Sequence, residues 1–217
     1  QYVIAEIRNT INMKDEFYDK EVEFFNEETP KLMPISEKIN LTFLNSKFKD
    51  DFKKEFGSIF ITKKEEELKT ISKKIISDMV KEGSISQSYS KTVAECKTEF
   101  RGKDCNFYGL LKHMQNTDRV ERKEAFEAWA KLYASVSGTL DKYYDKLIKL
   151  RVRMAEKLEF SSYTDLAYVR RQRFDYKQEQ VANFRKQVKE IIVPACAKLY
   201  EEQRKQLLTL SENLEFA

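Results

Sequence analysis

The stretch VANFRKQVKEIIVPACAKLYEEQRKQL, Val181 to Leu207, reads as one long helix. It contains no glycine. Its single proline, Pro194, is expected to kink it, because an interior proline lacks the amide donor and its ring crowds the preceding turn. With its flanks, the helix is expected to run from Lys177 to about Leu208. Upstream, Ser161 or Ser162 opens a shorter helix through about Arg171. Leu140, Tyr143, Tyr144, Leu147, Leu150, Met154 and Leu158 mark a long helix by their three-and-four spacing. Asp118 is placed to cap another, which carries Arg122, Ala125, Trp129 and Leu132 to about Ser135.

The first hundred residues follow the same logic. Tyr2, Ile4, Ile7 and Ile11 show helical spacing with no capping residue ahead of them, so the sequence reads as a helix entered midway, with the native start expected upstream. From Asp15 to Asn45 the apolar positions imply helices broken or kinked near Pro30 and Pro34. Phe48, Phe52 and Phe56 form one apolar stripe on a short helix that Gly57 can close. Thr62 followed by Glu65 suggests a capping box, with Leu68, Ile71, Ile75, Ile76 and Met79 as a stripe ending before Gly83. The Ser-rich run after Ser84 breaks the pattern. A β-hairpin is expected there, Ala94 to Phe100 against Cys105 to Tyr108 around Arg101–Asp104.

Only 5 Gly and 3 Pro occur in 217 residues of which 35% are charged, the composition of a helix-rich chain. The fold class is therefore mainly α, long packed helices with one small hairpin near 94–108. No repeat or low-complexity linker appears, so residues 1–217 are taken as a single helical lobe without an internal boundary. No apolar run approaches the roughly 20 residues needed to span a bilayer. Three scattered cysteines, Cys96, Cys105 and Cys196, suit reduced thiols in the cytoplasm better than a disulfide framework. The 40 basic and 36 acidic residues are thoroughly mixed, which argues against nucleic acid as a partner.

Few residues are candidates for chemistry. His113 is the only histidine, and a zinc site needs three or four converging ligands. It is read as structural or surface. Cys96 and Cys105 could face each other across the hairpin, but no C-x-x-C motif accompanies them. Cys196 is read as a small packing hydrophobe. The five glycines form no phosphate-binding loop. The arginines Arg151, Arg153, Arg170, Arg171 and Arg173 cluster with Tyr163, Tyr168, Phe174 and Tyr176. Such a set suits a bidentate carboxylate clamp or an RNA-stacking patch. The plainer reading is interhelical salt bridging beside core aromatics.

Distributed matches carry a family resemblance. They are Asp15-Glu16-Phe17-Tyr18-Asp19 with Glu23-Phe24-Phe25, Leu44-Asn45-Ser46-Lys47-Phe48, and Asp118-Arg119 with Arg122-Lys123 and Ala125. Lys157-Leu158, Tyr163, Asp165-Leu166-Ala167-Tyr168, Arg173-Asp175-Tyr176 and Val181 to Tyr200 continue the series. Together they resemble oligoendopeptidase F, a thimet-oligopeptidase-like zinc metallopeptidase. The resemblance implies a helical, two-lobed shell around a channel with zinc at its floor. It also implies hydrolysis of short oligopeptides by a water on zinc, held by a helical H-E-x-x-H and a later glutamate. None of those site residues has a counterpart here. The chain is therefore expected to be an amino-terminal lobe supplying a channel wall, with no catalytic or metal position of its own. A missing carboxy-terminal catalytic half would be its partner, and zinc the cofactor of the intact enzyme. Arg170, Arg171, Arg173 and Tyr176 are the candidates for substrate or interlobe contacts. The alternatives are a non-catalytic helical interaction module and, ranked last, an RNA-binding helical protein.

Overall fold

The computed structural model describes residues 1–210. The chain divides into two compact units, Gln1–Arg170 and Arg171–Ala217. In the first unit, α1 (Tyr2–Ile11) and α2 (Glu16–Glu28) pack as a pair, and a 3-10 turn (Thr29–Leu32) leads into α3 (Met33–Leu44). Pro30 lies within that turn and Pro34 in the first turn of α3, where a missing amide leaves no hydrogen bond unmade. The expected breaks near both prolines are present.

Helices α4 (Lys49–Phe56) and α5 (Ser58–Lys69) meet at Gly57, which ends one and begins the other. Its φ of 83° and ψ of 167° lie where essentially only glycine is stable. The cap expected at Thr62 is not formed. Thr62 lies inside α5, and its hydroxyl donates back to the Ser58 carbonyl at 3.3 Å. The stripe from Leu68 to Met79 is also interrupted, because α5 stops at Lys69 and Ser72 caps a 3-10 turn, Lys73–Ile75.

The Ser-rich run is helical. Helix α6 (Ile76–Glu95) passes through Gly83 and five serines, whose hydroxyls can return hydrogen bonds to carbonyls one turn back, as Ser88 does to Ser84. The hairpin is shorter than expected. Strands β1 (Thr98–Phe100) and β2 (Lys103–Cys105) pair antiparallel with Thr98 opposite Cys105 and Phe100 opposite Lys103. Arg101 and Gly102 both take positive φ, the two-residue turn that matches strand twist. Cys96 lies outside β1, so the two thiols are not cross-strand neighbours.

After α7 (Phe107–His113), Asp118 caps α8 as expected, accepting from the Val120 amide. Helix α8 (Arg119–Lys157) runs 39 residues without the break expected between Ser135 and Leu140. Its buried residues Ala125, Leu132, Leu140, Leu147, Leu150 and Met154 form one stripe across Gly138. A mid-helix glycine costs about 1 kcal/mol, less than the roughly 1.5–3 kcal/mol gained by burying either flanking leucine. At about 58 Å, α8 serves two separate cores. Its amino-terminal part packs with Cys96, Phe100, Cys105 and Leu110, and its carboxy-terminal part with Ile75 and with Leu166 of α9 (Tyr163–Arg170).

The second unit contains α10 (Gln178–Gln187), a π-helical turn (Val188–Ile192) and α11 (Val193–Leu210). The break expected at Pro194 takes the form of this π turn, in which the Val193 amide reaches Val188. Widening the helix just ahead of a proline relieves its ring from the carbonyl four residues back.

Candidate functional site

The arginine cluster is largely committed to internal ion pairs. Asp78 and Glu82 lie one turn apart on α6, and each is held by two cations. Asp78 takes Arg153 and Lys157, both at 2.6 Å. Glu82 takes Arg151 at 2.6 Å and Arg170 at 3.6 Å. Burial pushes the Asp78 carboxyl up, but hydrogen bonds from Lys157 and Arg153 outweigh it and hold the group below the ordinary range. Arg151 also lies over the Tyr163 ring, 5.6 Å from its centre. Arg170 additionally contacts the Met154 sulfur at 3.8 Å. In the second unit Arg171 is exposed, and Arg173 lies over the Tyr176 ring at 6.0 Å. The structure thus ties Arg151, Arg153 and Arg170 to acidic partners on α6, the plainer of the readings offered for the cluster.

His113 is structural. Its Nδ1 lies 2.7 Å from Glu121 Oε1, and its ring packs on Phe100. The other Glu121 oxygen receives Arg101, which also reaches Glu124 at 2.7 Å, so the strained hairpin turn is clamped onto the first turns of α8. The His113 bond comes first, against some burial, in holding the Glu121 carboxyl below the ordinary range. Cys96 and Cys105 are buried free thiols in the same core, with burial pushing the Cys96 thiol up. These residues do not fit a zinc ion. His113 is already engaged, and among the described residues no group of three His, Cys, Asp or Glu side chains converges.

The feature that sequence reading missed is a groove along α6. Gly83, Ser86, Gln87, Ser90, Val93 and Ala94 recur at three-and-four spacing on one helical face, so mostly small side chains leave a trough between α6 and α1. One end, of about 700 Å³, is walled by α1 and α2; the other, of about 750 Å³, reaches α7. Thr10, Ile11, Met13 and Ser90 line both, making one continuous trough. At position 83 a Cβ would come 3.1 Å from Asn26 Cγ, so glycine is what lets α2 approach.

The floor of the α1/α2 end is a run of amides. Asn26 Nδ2 donates to Gln87 Oε1 at 3.3 Å, and Gln87 Nε2 donates to Asp19 Oδ1 at 2.9 Å. Lys91 completes the run at 2.9 Å from the other Asp19 oxygen and is the main cause holding that carboxyl low. Asn9 of α1, its Nδ2 buried, is a lesser influence of the same sign on that carboxyl. Only 6% of Asn9 is exposed. Tyr2 at the rim donates to Glu6 at 2.7 Å, and its phenol is pushed up to about 12 by burial first and then by Glu6.

The described residues are almost entirely helical, with one two-stranded hairpin. The profile of the peptidase M3 N-terminal domain matches residues 1–71, and that of peptidase family M3 matches residues 112–215. The chain belongs to peptidase family M3. Its fold is similar to the crystal structure of an oligoendopeptidase F from Bacillus anthracis strain Ames, at 33% identity and a TM-score of 0.88. That match covers 93% of this chain and 37% of the other. A second oligoendopeptidase F structure aligns at 34% identity and a TM-score of 0.90, over 94% of this chain and 36% of that one. PZ peptidase A, solved with an inhibitor, aligns at 35% identity and 0.91, over 98% of this chain and 38% of that one. The chain thus spans little more than a third of the length of these structures. No curated protein matches it. Among the described residues no helix is long and apolar enough to cross a membrane.

Proposed function

We propose that this chain is the amino-terminal lobe of a zinc-dependent oligoendopeptidase that hydrolyses short peptides in the cytoplasm. The observation that carries the reading is 33–35% identity over 93–98% of the chain, with TM-scores of 0.88–0.91, to oligoendopeptidase F and PZ peptidase A structures. Zinc and its ligands would come from a catalytic part of the larger protein, since the residues here do not fit the ion. The lobe would form one wall of the peptide channel. Arg171, Arg173 and Tyr176 are its candidates for contacts with substrate or with the catalytic part, whereas Arg170 is drawn on by Glu82.

The test begins with the denatured mass of the native gene product. A mass far above 25.8 kDa, with bound zinc and chelator-sensitive cleavage of a quenched peptide, is expected. The chain alone is expected to leave that peptide uncut. A native product near 25.8 kDa would overturn the peptidase reading and leave a helical interaction module in its place.

A further inference from the structure

We infer that the cleft between α2, α6 and α8 is an anion site for a chain of phosphate groups, carried on a nucleotide or free as inorganic polyphosphate. The inference goes beyond the peptidase reading and does not rest on it, because none of its residues is assigned to peptide or zinc.

The first observation is local charge. Basic and acidic residues are nearly balanced over the sequence, but not in this cleft. Lys81 of α6 and Lys146, Lys149 and Arg153 of α8 line it, against one carboxylate, Glu27 of α2. Among the described residues, Lys81, Lys146 and Lys149 form no ion pair. Lys146 lies near the Tyr143 ring, 5.9 Å from its centre. Arg153 is not neutralised either. It shares Asp78 with Lys157, and Glu82 is shared by Arg151 and Arg170, so those two carboxylates offset only half the charge brought against them. Gathered like charges repel one another, and a bound anion relieves that repulsion.

The second is geometry. Lys146, Lys149 and Arg153 recur at three- and four-residue spacing, so they share one face of α8. They extend over about 10 Å at the helical rise, with Lys81 across from them on α6. A single phosphate spans only part of that row, whereas a phosphate chain meets it along its length. An extended acidic peptide suits it less, because successive side chains point to opposite sides. Arg153 gives Nη2 to Asp78 and keeps further N–H groups on the same planar fork, the geometry that matches phosphate oxygens.

The third is the wall. Val80, Ile85 and the buried Leu150 supply apolar surface beside the cations, and low-dielectric walls strengthen their field. At about 450 Å³ the cleft is of small-ligand size. Its lining includes no aromatic ring on which a nucleic-acid base could stack, so the phosphates are what it recognises.

The experiment is isothermal titration of the 217-residue chain with sodium tripolyphosphate, at fixed ionic strength and without magnesium. Saturable one-site binding is expected, with sulfate and monophosphate much weaker. Lys146→Gln combined with Lys149→Gln should weaken it at least about tenfold, since each removes a charge-assisted contact. Both lysines are exposed, so thermal stability should hold. Ser84→Glu, which places a carboxylate in the cleft, should weaken binding as well and keeps the test decisive if the double variant misfolds. Lys131→Gln with Lys142→Gln removes the same charge from α8 outside the cleft and should change nothing. ATP distinguishes the sources: binding equal to or tighter than tripolyphosphate supports a nucleotide, and weaker binding supports the inorganic chain. Non-saturating heat, or equal loss in the control pair, would reveal only diffuse attraction and overturn the site. A glutamate-rich peptide binding as tightly as tripolyphosphate would overturn the phosphate assignment. Binding by this chain that is lost in the longer native product would show the cleft covered by the protein's own polypeptide, and would overturn it too.

Discussion

Arg153 Nη2 lies 2.6 Å from Asp78 Oδ1, joining the exposed side of α8 to the most buried carboxylate of α6. Only 3% of the Asp78 side chain is exposed, against 48% for Arg153 and 35% for Lys157. The asymmetry decides which deletion matters. Arg153→Ala combined with Lys157→Ala strands a buried charge and should destabilise the chain by about 3–5 kcal/mol. Asp78→Asn leaves two cations that can turn to water and should cost nearer 1–3 kcal/mol. Urea unfolding of the variants ranks them, and the reverse order would show that Asp78 is not the desolvated member.

Acid should weaken the fold through the same carboxylates. Asp78 and Asp19 have folded-state values below their ordinary 3.8. Each therefore contributes fully above that value and loses its contribution as pH falls through the lower folded one. Unfolding free energy should stay level from neutrality to about pH 5 and decline below about pH 4. A decline that begins well above pH 5 would show that these two carboxylates do not set the acid limit.

Thiol reactivity should separate the cysteines. Cys96 and Cys105 are buried, Cys196 only partly so, and the thiolate is the reactive form. A disulfide reagent added to native protein should modify Cys196 quickly and the other two only on unfolding. Mass spectrometry of the labelled peptides identifies the fast site, and rapid labelling of Cys96 would contradict its burial.

Gly138→Ala should stabilise α8. A Cβ there meets nothing within 4 Å, and alanine replaces the poorer helix former in mid-helix. The expected gain is about 0.5–1 kcal/mol, read as a raised urea midpoint at constant m-value.

Gly57→Ala should do the opposite. No neighbour obstructs its Cβ, yet φ of 83° with ψ of 167° excludes side chains on backbone grounds alone. A loss of about 1–3 kcal/mol is expected from chemical denaturation. A neutral result would mean that α4 and α5 can meet through another backbone path.

Much of the helical framework is legible in the sequence because periodicity and local capping encode it. Asp118 caps α8 through its own side chain, and the prolines at 30 and 34 fall where helices start. The misread segments share a cause. A break was expected between Ser135 and Leu140, and the Ser-rich run after Ser84 was expected to interrupt the helical pattern, because small polar residues have weak local preference. Packing overrules that preference when the flanking residues, Leu132 and Leu140, are buried on one face. The groove was invisible for the same reason. Its small α6 residues are unremarkable until α1 is placed beside them.

The sequence by itself determined that this is a helical chain of the M3 type with a single histidine, because composition, spacing and distributed identity are local properties of the polymer. Only the tertiary structure decided how the charges are spent. Arg151, Arg153 and Arg170 could have served substrate or scaffold. The approach of α6 gave them Asp78 and Glu82, and a buried carboxylate requires its cations more than an exposed surface does. Asn9 is an ordinary helical asparagine until the fold buries it, where its side chain adds to the hold on the Asp19 carboxylate.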